Sequence, residues 1–166
     1  EELGNKREIA ATLNSIGIMH SQKRDYDKAL EYYANSLVIA KDIDSKSLEG
    51  LLLANMAVEY GCKREFDNAI DYIKKSNVIR EELGDKGGMS NSFSQLGNFY
   101  YYKDEYEKSI QYHKKSLALK EEIDYKQGMK YSLQTIGVIY FEKGDYEKAV
   151  EYLDQAVSIQ KGFEND

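Results

Sequence analysis

A chain of 166 residues with a formal net charge of −6 lacks the basic excess that sequence-independent nucleic-acid binding needs to displace counterions. A single cysteine, Cys62, excludes an internal disulfide framework and points to a reducing, cytoplasmic setting. No apolar run approaches the ~20 residues of a membrane span. With 31 % charged and 42 % hydrophobic residues and no proline, the composition is that of a globular chain free to form helices throughout.

The opening stretch Glu1-Glu2-Leu3-Gly4-Asn5-Lys6 matches Glu81-Glu82-Leu83-Gly84-Asp85-Lys86. Residues 1–8 are therefore expected to be the tail of a preceding repeat. From there a 40-residue period runs without a gap, giving units 9–48, 49–88, 89–128 and 129–166 of a single array. Tyr26, Phe66, Tyr106 and Tyr146 form one column, Tyr32, Tyr72, Tyr112 and Tyr152 another. Each unit predicts two helices. In the first, Leu13, Ile16, Gly17 and His20 mark one helix. Tyr26, Ala29, Leu30, Tyr33 and Leu37 mark the next with an i, i+3, i+4, i+7 stripe. The polar turn Lys23-Arg24-Asp25 between them recurs as Lys63-Arg64-Glu65, Lys103-Asp104-Glu105 and Lys143-Gly144-Asp145. So short a turn makes the helices antiparallel neighbours. Asp25 and Asp145 suit N-caps whose carboxylates accept backbone N–H bonds, and Gly84-Asp85 suits a helix end followed by a new cap. The small residues Gly17, Ala57, Gly97 and Gly137 face Ala29, Ala69, Ser109 and Ala149, predicting close helix approach. On the last helix, Tyr152, Leu153, Ala156, Val157 and Ile159 form an apolar side that no later residue covers. This predicts end-to-end self-association or a further downstream segment.

These columns resemble the tetratricopeptide repeat pattern W-x2-L-G-x2-Y…A-x3-F. In the third unit the match runs Phe93, Leu96, Gly97, Tyr100, Ser109, His113, Ser116. In the fourth it runs Leu133, Ile136, Gly137, Tyr140, Ala149, Leu153, Ala156. The period departs from the family's usual length of about 34, and Lys41, Glu81 and Glu121 replace its customary proline. The added residues are expected to lengthen the second helix. This longer form is similar to Leu-Gly-Asn-repeat adaptors, kinesin light chains and Rap-type regulators, and Gln95-Leu96-Gly97-Asn98 is close to the Leu-Gly-Asn signature. The resemblance implies an all-α fold, a right-handed superhelical solenoid of antiparallel hairpins with first helices on the concave face. It also implies a protein-binding scaffold; the alternative is a sensory or regulatory module of a larger signalling protein.

Charge is distributed in keeping with such a division. Residues 9–22, 89–102 and 131–141 contain no Asp, Glu, Lys or Arg, and residues 50–62 contain only Glu59. Second helices are charge-dense, as in Glu105, Glu107, Lys108, Lys114, Lys115, Lys120, Glu121 and Glu122, a pattern that reads as a solvated face. Packing accounts for much of each uncharged helix but not for the side expected to look into the groove. That side comprises Asn14, Ile18 and Ser21 in the first unit, and Leu51, Ala54 and Val58 in the second. The third supplies Asn91, Ser94, Asn98, Tyr101 and Tyr102, and the fourth Tyr131, Gln134, Val138 and Phe141. Amides bond an extended backbone, and Tyr and Phe offer contact area at low entropy cost. Family members that grip a C-terminal carboxylate use Lys or Arg on this face; here Asn14, Ile18, Asn55, Asn91 and Gln95 hold those positions. The expected partner is therefore an internal protein segment with apolar anchors, not nucleic acid or membrane. The turn lysines are read as solvated rather than as a basic edge. His20 and His113 fall in columns of core residues and have no metal-ligand spacing, and Gly87-Gly88 lacks the residues of a phosphate loop. No enzyme activity, cofactor or metal is expected.

Overall fold

The computed structural model describes residues 2–163; Glu1, Glu164, Asn165 and Asp166, at the ends of the expected array, lie outside them. Among the described residues there are eight helices and no strand, an all-α helical-repeat fold. One compact unit, Glu1–Gly84, holds α1 (Glu2–Gln22), α2 (Tyr26–Asp42), α3 (Lys46–Cys62) and α4 (Phe66–Glu82). A second, Asp85–Asp166, holds α5 (Lys86–Tyr102), α6 (Tyr106–Glu122), α7 (Lys126–Glu142) and α8 (Tyr146–Phe163). Within each unit every helix packs on its chain neighbours. Helices α2 through α7 are each 17 residues long, so the long period is shared equally and the second helix is not the longer one.

The turns explain this regularity. Their middle residue is left-handed at Arg24, Asp44, Arg64, Gly84, Asp104, Asp124 and Gly144, once every 20 residues. In the first, the Arg24 N–H donates to the Ser21 carbonyl (2.8 Å) and the Asp25 N–H to the His20 carbonyl (3.0 Å). That bonding pattern stops a helix while satisfying its last carbonyls. Asp85 caps α5, accepting the Gly88 N–H at 2.8 Å, and Asp145 accepts that of Lys148 at 3.2 Å. Asp25 differs from expectation: its carboxylate makes no capping bond because His20 (3.3 Å) and Lys28 (3.2 Å) engage it instead.

The small column sets the helix approach. A methyl group at Gly17 would stand 2.5 Å from the Tyr33 ring, one at Gly97 2.5 Å from the His113 ring, and one at Gly137 2.8 Å from Leu153. Opposite them Ala29, Ala69, Ser109 and Ala149 are buried. A further bond tightens three hairpins. Ser36, Ser76 and Ser116 donate to the carbonyls of Ala10 (2.8 Å), Gly50 (2.6 Å) and Ser90 (2.7 Å), always 26 residues back. Aromatic stacks close the other end: His20 on Tyr32, Tyr60 on Tyr72, Tyr100 on Tyr112 and Tyr140 on Tyr152, with centroids 5.1–5.5 Å apart. On α8, Ala156 is buried and Tyr152 and Ile159 are half-buried, while Leu153 and Val157 remain exposed. Among the described residues no helix is long and apolar enough to cross a membrane.

Candidate functional site

The uncharged first helices place the expected groove residues unevenly. In the first unit Ile18, Leu51 and Val58 are exposed. Asn14 is half-buried, its side-chain oxygen accepting the Asn55 amide at 3.0 Å. Ser21 hydrogen-bonds Glu59. Ala54 does not line an open surface: α3 is buried over most of its circumference, and the single methyl there is only 6 % exposed. Glu59, the one charge on this helix, is 1 % exposed, and its Oε2 has no partner. Burial pushes its carboxyl above the usual range. Its charge, after burial itself, pushes the Tyr33 hydroxyl up to about 12.

In the second unit most of the expected residues come together between α5 and α7. One cleft of about 260 Å³ is lined by Asn98, Tyr101, Tyr102, Tyr131, Gln134, Thr135, Val138 and Ile139. A second, of about 470 Å³, shares Asn98 and Tyr131 and continues past Asn91, Ser94, Gln95, Lys120, Tyr125, Gln127 and Gly128. The Asn98 amide donates to the Tyr131 hydroxyl at 3.3 Å, joining the two walls. The Tyr101 hydroxyl donates to Glu142 at 2.7 Å; that bond, more than burial, pushes it up to about 12. Tyr102, Val138 and Phe141 are exposed apolar surface, with Phe141 edge-on to Tyr146. Ser94, by contrast, is buried at 8 % exposure. Its hydroxyl shares a 2.8 Å bond with Ser116 and accepts the Lys120 ammonium at 2.9 Å.

Lys120 corrects one sequence-based expectation. It is not part of a solvated face: it is 2 % exposed. It also lines the larger cleft, from a second helix rather than a first. The last turn of α6 continues the buried series Ser109, His113, Ser116, and Lys120 falls next in line. Its Nζ bonds Ser94 and, at 3.0 Å, Ser132. Burial alone lowers its pKa to about 8. The repeat carries no uniform signal for this, because the equivalent residues are the buried Ala40, the half-buried Arg80 and the exposed Gln160.

His113 is fully buried, and neither ring nitrogen has a partner. Burial, then the Lys120 charge, lowers it to about 4. His20 is not a core residue, since it remains half-buried beside Asp25. The turn lysines are neutralised as expected of solvated residues: Lys63 pairs with Asp27 (2.7 Å) and Glu65 (3.0 Å), Lys103 with Glu105, and Lys143 with Glu107.

A family model described as tetratricopeptide repeat matches residues 88–162, and another of the same description matches residues 12–47. No curated protein sequence matches the chain. Among solved structures it is similar to BtubC (BKLC) from P. vanneervenii, at 18 % identity and TM-score 0.87 over 95 % of this chain and 65 % of that one. It is also similar to aspartyl phosphate phosphatase F from Bacillus subtilis, at 17 % identity and TM-score 0.91 over 95 % of this chain and 41 % of that one. A Rap protein complexed with competence and sporulation factor matches at 17 % identity and TM-score 0.83, over 100 % of this chain and 45 % of that one. The chain thus spans less than two thirds of each of these proteins, and at such identities the likeness is one of fold.

Proposed function

The chain belongs to the tetratricopeptide-repeat family, and from that premise we propose that it is a protein-interaction scaffold whose α5–α7 trough receives a segment of a partner protein. The observation that carries this reading is the trough itself. Along 89–102 and 131–141 two helices carry no charged residue, yet they leave Tyr102, Tyr131, Val138 and Phe141 exposed beside Asn91 and Asn98. Exposed aromatic and amide groups around a cleft are the composition that protein ligands use. The Rap structure with its bound factor supports the choice of a polypeptide ligand by likeness of fold. The test is affinity capture from the source organism's lysate with wild type beside the triple variant Asn98→Ala/Tyr102→Ala/Phe141→Ala. All three side chains are at least partly exposed, so helicity is expected to be retained. Loss of the wild-type partners by the folded variant supports the trough as the ligand surface; equal capture by both contradicts it.

A further inference from the structure

We infer that the floor of the α5–α7 trough is a carboxylate-binding site, in which Lys120 receives an Asp or Glu side chain from an extended peptide segment; this rests on the scaffold function proposed above.

The first support is an ammonium without a counter-ion. Lys120 is 98 % removed from solvent, being 2 % exposed, and none of the described carboxylates pairs with it. The packed elements offer none. On α5 residues 89–102 are uncharged, and on α7 so are residues 131–141. On its own helix Glu121 is exposed and Glu122 is held by Lys86 at 2.8 Å. An ammonium has three N–H donors. Two go to the neutral hydroxyls of Ser94 and Ser132, while Nζ otherwise lies 5.8 Å from the centre of the Tyr131 ring. A buried cation so served is costly, and a carboxylate relieves that cost through a charge-assisted bond. Burial lowers its pKa to about 8, which still leaves the group cationic at neutral pH.

The second support is the cleft above it. Lys120 lines the wall of the ≈ 470 Å³ space together with the side-chain amides of Asn91, Gln95, Asn98 and Gln127. Neutral donors around a single cation match a monoanion. A phosphate dianion would bring a second negative charge that nothing here balances.

The third support is continuity with the aromatic cleft, which indicates a peptide rather than a free acid. The two clefts share Asn98 and Tyr131. From Gln95 to Tyr102 along α5 is about 10 Å at ~1.5 Å per helical residue, the span of about three extended residues. The ligand is therefore a segment in which an acidic residue stands about three positions from an apolar one.

The experiment is selection from a displayed library of linear peptides on wild type and on Lys120→Met, followed by anisotropy with a synthetic copy of the selected peptide. Wild type is expected to select an Asp or Glu at a fixed spacing from an apolar residue. Exchange of that acid for its amide, or Lys120→Met with helicity retained, should each weaken binding roughly tenfold or more, the worth of a charge-assisted bond. The two changes together should cost little beyond either alone. If Lys120→Met fails to fold, the Lys120 Cε resonance of the wild type decides: it must move when the peptide is added and stay still with the amide form. Selected peptides that lack an acid, or an acid whose loss is additive with that of Lys120, overturn this inference and leave the scaffold reading standing. Selection of no peptide at all overturns both.

Discussion

Two buried charges distinguish the two units. Glu59 in the first interrupts a column otherwise apolar, Met19, Phe99 and Ile139, whereas Lys120 in the second is buried in a column that also holds Ala40, Arg80 and Gln160. Glu59 takes a hydrogen bond from Ser21, and its charge adds to burial in raising the Tyr33 pKa. Lys120 opens onto a cleft with amide walls. A buried charge has different consequences in the two units. Both charges oppose folding, since each has its pKa displaced toward the neutral form. Only the cation stands where a partner's charge is able to reach it.

The sharpest way to break this contrast is Lys120→Met. A shift from 10.5 to about 8 corresponds to about 3 kcal/mol at 1.36 kcal/mol per pH unit. The variant should therefore melt higher at pH 7 by up to that equivalent while losing acidic ligands. The sign follows from the depressed folded-state value: the Lys120 contribution is least favourable below pH 8 and recovers as pH rises from about 8 toward 10.5. In Lys120→Met that rise should vanish from denaturation midpoints measured across the range. An unchanged melting point at pH 7 would place the ammonium in water.

Gly137→Leu comes next, at roughly 1–3 kcal/mol of destabilisation by overpacking, read from urea midpoints. A methyl there already stands 2.8 Å from Leu153 and 3.2 Å from the Ala149 carbonyl. Slightly smaller is His113→Leu, which puts the fourth repeat's own residue into the third. Removing two unpartnered ring nitrogens should stabilise by about 1–2 kcal/mol at neutral pH. Because His113 is depressed to about 4, its contribution is intact above pH 6.5 and is lost as pH falls from there toward 4; the variant should lack that acid loss. Ser76→Ala is the control from the other unit. It removes the 2.6 Å bond to the Gly50 carbonyl and should cost about 1 kcal/mol with no effect on ligand capture. A Ser76→Ala protein that loses its partners would undo the distinction between the units.

Much of this was legible in the sequence, and for a physical reason. A helix of 17 residues and a turn of three repeat every 20, so turn positions such as Lys63-Arg64-Glu65 fall where the columns put them. Gly17, Gly97 and Gly137 announce close contacts because a side chain at those points has nowhere to go. What was not legible lies in residues whose type misstates their environment. Lys120 and Glu59 carry charges that ordinarily face water; alignment with Phe99 and Ile139 marks Glu59 as interior, while the column of Lys120 mixes Ala40 with Arg80 and Gln160 and gives no such mark. Ser94 and Ala54 occupy the groove-facing register, yet both are nearly buried. Asp25 sits at a cap position, yet local competition from His20 and Lys28 takes its carboxylate away.

The most direct measurement is the titration of the Lys120 side chain by NMR, alone and with a selected acidic peptide. The account requires a midpoint near 8 in the free protein and an upward displacement when a carboxylate arrives. A midpoint near 10.5 in the free protein, or one that the peptide leaves unmoved, would contradict it.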